Sequence, residues 1–544
     1  MSPGQTGAPR DGGRASLLTG ANFIGPRESR GGGTSFHAED PATGARLEPP
    51  FAEASPVEVD AAARAAEAAF EAYAALPPAR RAAFLRALAE RIAAQANGLV
   101  ERAGQETALP RPRLEGERGR TANQARLFAD LVDEGSWVDA RIDRAQPDRK
   151  PAPKPDLRRM LVPLGPVAVF GASNFPLAFS VAGGDTVSAL ASGCPVVVKA
   201  HPAHPGASEL AARAILAAAR ETGMPDGVFS MVHGPSPAVG LALVAHPAVR
   251  AVAFTGSFRG GKALYDTAAR RDEPIPVFAE MGSANPVFVL PEALAERGEA
   301  IAAALSASVT LGAGQFCTNP GLILVAPSDA AGAFVARLGT LLAEAPAGTM
   351  VHAGIKAAYD AELAAAAARP GVVLSARASG RGPNAATDAH PALLLADAAT
   401  FALGRLDAEI YGPATLAVRC ASREEVLTAA RRLRGHLTAT VHATDRDLAD
   451  FAELLPVLAG KAGRVVVNGV PTGVEVTHAM HHGGPWPATT DSRATSVGSA
   501  AILRFVRPVS FQDVPERALP AELQSANPRG VWRLVDGRPT KDAL

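Results

Sequence analysis

The sequence VAVFGASNFP at residues 167–176 decides the fold, because a short apolar strand runs directly into a polar, glycine-containing loop. An uncharged helix candidate follows at about residues 178–191. A second strand, Val196–Lys199, then precedes another helix candidate at about 207–222. Short buried strands that alternate with helices predict an α/β fold with a parallel, doubly wound sheet.

The loops that follow these strands are the candidate ligand-binding region. Doubly wound sheets bind ligands at the carboxyl ends of their strands, which brings residues 171–176, 199–204 and 255–261 to one edge. A second alternating pattern runs from residue 287 to about 470 and predicts a second α/β domain.

The composition describes an ordinary globular chain of 544 residues with 54 Lys+Arg and 54 Asp+Glu. This balance leaves no global field to attract nucleic acid or an anionic membrane, so we expect small molecules and copies of the same chain as partners. The three cysteines are too few for a disulfide framework, which favours a reducing cytoplasm, and the first fifteen residues show no apolar segment typical of a signal peptide. Residues 1–15 are predicted to be a disordered tail.

The region before the first sheet is predicted to be helical. Ser55, Pro56 and Glu58 form a helix start with an N-cap and a capping-box carboxylate. We expect helices at about 56–75, 79–103 and 113–134.

Cys317 and Glu280 are the candidates for covalent chemistry. Cys317 lies in a turn that contains Gly, Gln and Asn and favours an accessible nucleophile, although a lone cysteine is just as well an inert packing residue. Glu280 ends an apolar strand, where burial would raise the pKa of a general base; the alternative is an exposed carboxylate at a strand end.

Five further residues are candidates for binding. Asn174 is placed to donate to an oxyanion, unless it serves as an ordinary turn residue. Gly256 and Ser257 open a helix where backbone N–H groups favour phosphate, without a full dinucleotide fingerprint. Lys199 ends a strand within reach of a ribose or phosphate, and Glu409 offers a carboxylate to ribose hydroxyls; solvated or turn positions are the alternatives.

The histidines at 478, 481 and 482 suggest a metal site, but they lie in a Gly/Pro loop, and no carboxylate or cysteine is placed nearby to support them as ligands. We therefore predict no metal.

Taken in order, these motifs resemble the NAD(P)-dependent aldehyde dehydrogenase superfamily over residues 20–512. The resemblance implies two Rossmann-like, doubly wound domains and a small bridging β-hairpin for oligomerisation. The implied divisions are a tail at 1–15, a cofactor domain at 16–281 with 139–160 in the hairpin, a catalytic domain at 282–479, a return to the cofactor domain with an oligomerisation strand at 480–512, and a C-terminal extension at 513–544.

The resemblance also implies a role for each matching residue. Cys317 is implied as the nucleophile, Glu280 as the general base and Asn174 as an oxyanion donor together with the Cys317 backbone N–H. The implied cofactor contacts, for NAD or NADP, are Lys199, Gly256, Ser257 and Glu409. Ser173 stands where many members have Trp, and Met281 where Leu is common; neither departure removes a catalytic group.

The stretches at 199–206, 468–476 and 483–493 are similar to the 2-oxoglutarate semialdehyde (2,5-dioxopentanoate) dehydrogenase branch. This predicts oxidation of that semialdehyde to 2-oxoglutarate; the alternatives are a broad or long-chain aldehyde dehydrogenase, a CoA-acylating enzyme and a non-catalytic relative. Pro202 stands where many NAD-preferring members carry Glu, which favours NADP. A homodimer or homotetramer is implied. Arg120, Arg126 and Arg159 are candidate anchors for the second acidic group, or else ordinary ion-pairing residues.

Overall fold

The computed structural model describes residues 18–31, 34–404 and 406–544. The predicted tail at residues 1–15 lies outside the described residues. In chain order the strands are β1 (Asn22–Ile24), β2 (Arg27–Ser29), β3 (Ser35–Glu39), β4 (Arg46–Ala52), β5 (Arg141–Asp143), β6 (Leu157–Pro163), β7 (Val167–Phe170), β8 (Val196–Lys199), β9 (Phe229–Val232), β10 (Ala251–Thr255), β11 (Val277–Glu280), β12 (Val287–Val289), β13 (Leu322–Val325), β14 (Gly348–Thr349), β15 (Val373–Arg377), β16 (Asp388–Ala389), β17 (Ala392–Asp397), β18 (Ala414–Arg419), β19 (His436–His442), β20 (Ala462–Val467), β21 (Val506–Gln512), β22 (Arg533–Val535) and β23 (Arg538–Thr540). The α-helices are α1 (Pro56–Ala74), α2 (Pro78–Ala94), α3 (Ala96–Thr107), α4 (Arg111–Glu134), α5 (Gly184–Ser192), α6 (Pro205–Glu221), α7 (Pro237–Ala245), α8 (Phe258–Ala269), α9 (Pro291–Thr310), α10 (Ala331–Glu344), α11 (Ala353–Ala367), α12 (Ala398–Leu403), α13 (Arg423–Arg432), α14 (Asp445–Asp450) and α15 (Leu454–Ala459).

The first large sheet has the order β11-β10-β7-β8-β9-β1-β2, parallel from β11 to β9. Its alternate residues enter two different cores: Val196 and Val198 belong to one, Val197 to the other. Both faces are therefore covered, as the run of β-branched residues predicts. Since β8 and β10 flank β7 on opposite sides, the carboxyl end of β7 is the point where the strand order switches.

The second large sheet has the order β15-β17-β18-β13-β12-β19-β20 and is parallel except for the edge strand β15. Its strands also send alternate residues into two cores, with Phe288 on one side and Val287 and Val289 on the other. The prediction of two doubly wound sheets is confirmed.

The region predicted as a bridging hairpin is part of a larger sheet with the order β21-β6-β5-β22-β23. Residues 513–544, expected to be an extension, contribute β22 and β23 and bury Leu523 and Val531 completely. Among the helices of the described residues, none combines the length and the apolar character that a bilayer span requires.

The helical region begins as predicted, with the Ser55–Glu58 capping box of α1. The single helix predicted at 79–103 is wrong, because the chain leaves helical geometry at Gln95 (ψ 39°), between α2 and α3. The Gln95 amide donates to the Leu210 carbonyl, a tertiary contact that overrides local propensity. The helix predicted from residue 178 begins only at Gly184, after a turn that is closed by the Gly184 N–H on the Ala178 carbonyl.

Candidate active site

One cavity of about 820 Å³ lies at the carboxyl ends of the first sheet and is closed on its other side by the second α/β region. The predicted site residues in its wall are Asn174, Gly256, Ser257, Glu280, Cys317 and Glu409. Lys199 ends β8 but is not among the described lining residues; His201, two positions on, is. Six of the seven predicted residues thus share one cavity.

The loop that carries Cys317 is held in an unusual backbone conformation. Gly312, Ala313 and Gly314 all have positive φ, which for Ala313 costs about 1 kcal/mol or more. A Cβ on Gly314 would lie 2.2 Å from the Gly412 carbonyl carbon, so only glycine fits there. The Asn285 amide then donates to the Cys317 carbonyl at 2.8 Å. These contacts fix the direction in which the thiol points.

Cys317, Glu280 and His482 form a trio whose three ligand-type atoms all lie within 4.8 Å of one another; Glu280 and His482 are buried and Cys317 is partly exposed. The Cys317 Sγ is hydrogen-bonded to His482 Nε2 at 3.4 Å, and that nitrogen lies 3.0 Å from Glu280 Oε1. The Ser496 hydroxyl donates to Glu280 Oε2. Each carboxylate oxygen of Glu280 therefore lies against another side chain close to Cys317: Oε1 against His482 and Oε2 against Ser496.

The charges in this trio oppose formation of a thiolate. Burial acts to raise the pKa of Glu280, but His482 and the hydroxyl of Ser496 outweigh it, and the pKa lies below its usual range. The prediction of a raised pKa for Glu280 is therefore wrong, because the partners that lower it come from distant segments. Burial and then the negative charge of Glu280 raise the pKa of the Cys317 thiol well above its usual range. The thiol is protonated at neutral pH and needs a base before it can attack.

Asn174 lies on the loop after β7 and its side chain is directed toward the Cys317 loop. Its Nδ2 donates to the Gln315 carbonyl at 2.9 Å, two residues before the thiol. The Arg113 guanidinium donates to the Asn174 carbonyl at 2.7 Å and so fixes the position of the loop. The amide is thus held where it could donate to an oxygen on a carbon attached to Sγ.

The other end of the cavity fits a dinucleotide. Ser257 is the N-cap of α8, and its hydroxyl accepts from the Gly260 N–H at 3.2 Å, so the start of the helix faces the cavity. The buried Thr255 hydroxyl in the same wall has no partner among the described residues. Burial raises the pKa of Glu409 to about 8, which leaves a carboxyl group that can pair with sugar hydroxyls. Burial lowers the pKa of Lys199 to about 8, with Glu53 acting in the opposite direction.

The trio is also a possible metal-binding set, because thiolate, imidazole and carboxylate are zinc ligands. The sequence argument that no carboxylate or cysteine supports the histidines is wrong for His482, because the fold brings Glu280 and Cys317 next to it. A metal held by all three atoms would draw electron density from the sulfur and bind the Glu280 carboxylate. Coordination would therefore compete with the roles expected of Cys317 and Glu280.

Arginines surround a second, smaller cavity of about 270 Å³, which is lined by Arg113, Arg120, Phe175 and Phe316 among others. Arg120 donates to the Val474 carbonyl at 2.9 Å, while its buried Nε and Nη2 have no partner among the described residues. The charges of Arg120 and Arg464 both act on Cys317. This side of the site therefore offers cationic N–H groups to a ligand.

The other two predicted anchors lie elsewhere. Arg126 is hydrogen-bonded to Glu90 at 2.8 Å in an exposed pair. Arg159 is hydrogen-bonded to Asp139 at 2.7 Å in the five-stranded sheet. Neither lines a described cavity.

Three residues of the site were missed from the sequence: Asn285, Ser496 and His482. The histidine carried a signal, since its run of histidines stood out, but its partners lie 165 and about 200 residues away in the chain. The sequence around Asn285 indicates only a short turn, and nothing in the sequence around Ser496 indicates a role in the site.

Comparison with known proteins agrees with this geometry. The profile of the aldehyde dehydrogenase family matches residues 27–486. Alpha-ketoglutaric semialdehyde dehydrogenase 2 of Azospirillum brasilense is 52% identical over 96% of this chain and 99% of that protein. Alpha-ketoglutaric semialdehyde dehydrogenase of Acinetobacter baylyi is 47% identical over 90% of this chain and 93% of that protein.

Among solved structures, PnpE from Pseudomonas sp. WBC-3 superposes with a TM-score of 0.76 at 23% identity and covers 91% of this chain and 97% of its own. A further crystal structure of PnpE contains nicotinamide adenine dinucleotide. The fold and the family match agree, and this chain belongs to the aldehyde dehydrogenase family, whose members oxidise aldehydes with NAD(P).

Proposed function

We propose that this protein oxidises 2-oxoglutarate semialdehyde (2,5-dioxopentanoate) to 2-oxoglutarate. The single observation that carries the proposal is the juxtaposition of Cys317, Glu280 and Asn174 at one end of a cavity whose other end fits a dinucleotide. Two relatives that are about half identical over nearly the whole chain bear the name of this activity.

The residues at this end of the cavity supply each step of thioester chemistry. The Cys317 sulfur bonds to the aldehyde carbon, and the Asn174 amide and the Cys317 backbone N–H donate to the resulting oxyanion. When bound, the oxidised nicotinamide cofactor supplies the acceptor for the hydride, so that the enzyme-bound adduct becomes a thioester. Glu280 then takes a proton from a water that attacks the thioester carbon, and the acid leaves as the thiol is restored.

We propose Lys199, Gly256, Ser257 and Glu409 as the cofactor contacts. The start of α8 would face the pyrophosphate, while Lys199 and Glu409 would meet the two riboses. Position 202, three residues after Lys199, is a proline and carries no carboxylate. A 2′-phosphate therefore meets no negative charge at this position, and we expect NADP to be preferred over NAD.

A substitution tests the cofactor preference directly. Pro202→Glu introduces a negative charge beside the proposed 2′-phosphate position and should lower kcat/KM for NADP while leaving kcat/KM for NAD nearly unchanged. A wild-type ratio of NADP to NAD far below one would contradict the proposal.

Arg120 is the proposed anchor for the carboxylate at the far end of the substrate. Its guanidinium lines the smaller cavity, its charge acts on Cys317, and two of its buried nitrogens have no partner among the described residues. The ring of Phe179 packs against the guanidinium at 5.2 Å. A hydrogen bond to a charged group contributes about 1.5–3 kcal/mol, so Arg120→Met should raise KM for the semialdehyde about tenfold or more.

The control for this variant is Arg126→Met, which removes an exposed arginine of the same helix. KM for an uncharged aldehyde such as butanal should be unchanged in both variants. Equal KM values for the semialdehyde in wild type and Arg120→Met would show that Arg120 does not bind the substrate carboxylate.

We also propose a homodimer or homotetramer in a reducing cytoplasm. Within the described residues β21 pairs on one side only, with β6, which leaves a seven-residue edge available to a second copy. The three cysteines are free in the structure. Light scattering after size-exclusion chromatography would test the assembly, and a monomer at micromolar concentration would contradict it. For the domain divisions we propose a cofactor domain at 16–281, a catalytic domain at 282–479 and a return to the cofactor domain at 480–512.

Steady-state kinetics test the substrate. The semialdehyde should show a higher kcat/KM than succinate semialdehyde or a long-chain aldehyde, each measured with NAD and NADP. The released product should be the free acid with or without CoA. A long-chain aldehyde as the best substrate, or a CoA thioester as the product, would contradict the proposal.

A further inference from the structure

The imidazole of His482 has no role in the chemistry described so far, although it touches both reacting side chains. The side chain is fully buried, and its Nε2 contacts Cys317 Sγ and Glu280 Oε1. Its other nitrogen, Nδ1, has no partner among the described residues. A buried histidine normally has its polar atoms satisfied, so this arrangement requires an explanation.

The backbone of His482 is fixed with respect to the base. Its N–H donates to the Thr495 hydroxyl at 2.8 Å, and its carbonyl accepts from the Ser496 N–H at 2.9 Å. Ser496 in turn donates through its hydroxyl to Glu280 Oε2. One short segment therefore positions the imidazole and one carboxylate oxygen together.

The charges explain why a base is needed between the thiol and the carboxylate. A thiolate next to ionised Glu280 would place two negative charges side by side, and this raises the pKa of Cys317. An imidazolium between them would offset both charges. The 3.4 Å hydrogen bond joins Nε2 to the sulfur and so marks the path of the thiol proton.

We propose that His482 is the catalytic base that takes the Cys317 thiol proton at Nε2 and later returns it. The S–H bond breaks and an N–H bond forms, which gives a thiolate and an imidazolium that lies against the Glu280 carboxylate. The sulfur electron pair bonds to the aldehyde carbon. When water cleaves the thioester, the departing sulfur takes the proton back from Nε2, and Glu280 holds the proton that came from water.

This inference rests on Cys317 being the nucleophile of the proposed function. Other charged and titratable groups that act on the trio are Arg120, Arg464, Glu409, Tyr411, His481 and Asp185, the last paired with Arg504. None of these groups is hydrogen-bonded to the Cys317 sulfur, which lies between His482 and Glu280 and contacts both side chains.

The test is the rate of Cys317 alkylation by iodoacetamide as a function of pH, with the modified cysteine located by mass spectrometry. The reaction needs neither aldehyde nor cofactor, so its outcome is independent of the substrate proposal. In the wild type the rate should be level from near neutral pH upward, because the imidazole in contact with the sulfur takes the thiol proton. A rate that instead climbs tenfold per pH unit from 6 to 9 would overturn the proposal without any substitution.

His482→Gln separates proton transfer from positioning. The glutamine amide N–H can still donate to Glu280, but an amide does not accept the thiol proton. We expect the plateau near neutral pH to vanish and the pre-steady-state formation of reduced cofactor at pH 7 to slow about 100-fold. Wild-type alkylation and burst rates in this variant would overturn the proposal, because a positioning role alone would be rescued by glutamine.

His481→Gln is the matched control, since it removes the neighbouring, partly exposed imidazole that lies outside the trio. It should retain both the plateau and the burst rate. Cofactor binding and the melting temperature of each variant report whether the fold is intact. A loss of the plateau in His481→Gln equal to that in His482→Gln would also contradict the assignment.

Discussion

The two ends of the 820 Å³ cavity are built in different ways. Most of the cofactor end consists of loops that directly follow strands of one sheet, such as Gly256 and Ser257 after β10, and the second α/β region adds Glu409. The thiol end brings together Cys317, Glu280 and His482 from three segments that are far apart in the sequence. The first end depends on local sequence, whereas the second depends on the packing of the whole chain.

This difference has an energetic counterpart. The groups at the cofactor end bind a ligand that brings its own charge and hydrogen bonds, so each contact adds modestly to affinity. The groups at the thiol end act on charges that develop during the reaction inside a buried site, where each is worth more. Substitutions at the thiol end should therefore lower kcat, and those at the cofactor end should raise KM for the cofactor.

The largest effect is expected at Cys317. Cys317→Ala removes the covalent bond to the substrate, and steady-state turnover should fall at least about 10⁴-fold. Cys420→Ala, which changes a buried cysteine in another core, should retain turnover. Turnover that survives in Cys317→Ala would mean that the thiol end is not the reaction centre.

Asn174→Ala should have the next largest effect. Loss of one oxyanion donor costs about 10²–10³-fold in kcat. Because the amide also donates to the Gln315 carbonyl, circular dichroism and cofactor titration should accompany the kinetics. An unchanged kcat with an intact fold would show that Asn174 does not stabilise the oxyanion.

At the cofactor end, Glu409→Gln should act on binding. The amide keeps the shape of the side chain but weakens its pairing with ribose hydroxyls, and KM for the cofactor should rise about tenfold. The value of kcat at saturating cofactor should change less. A drop in kcat with unchanged KM for the cofactor would contradict the proposal that Glu409 acts in cofactor binding and not in the chemical step.

The smallest effect concerns the charge on Lys199. Its pKa of about 8 means that the ammonium is present below pH 8 and lost as the pH rises through that value. The proposed contact of Lys199 with the ribose that carries the 2′-phosphate therefore weakens, and kcat/KM for NADP should fall a few-fold between pH 7 and 9. Lys199→Arg, whose guanidinium keeps its charge, should remove this fall; an identical profile in both proteins would contradict the contact.

The sequence predicts those parts of the molecule that are determined locally. The capping box at Ser55, strands β7 and β8, and the helix start at Ser257 all appear where their residues indicate. The helix break at Gln95 was not predictable, because it is stabilised by a contact with Leu210 in another helix.

The same limit applies to the site. Cys317 and Glu280 stand out as residue types in loop and strand-end settings, but the lowered pKa of Glu280 results from His482 and Ser496, which follow it by about 200 residues. Of the three arginines considered as anchors, only the fold separates Arg120 from the two that form ion pairs elsewhere.

The most direct test of the central claim is mass spectrometry of Glu280→Gln after mixing with 2-oxoglutarate semialdehyde and NADP. Without the carboxylate that activates water, the thioester should accumulate. We expect one equivalent of NADPH in a burst, followed by a stall, and an acyl group on the peptide that contains Cys317. Full steady-state turnover, or a burst without an acyl group on Cys317, would contradict a thioester that is resolved by Glu280.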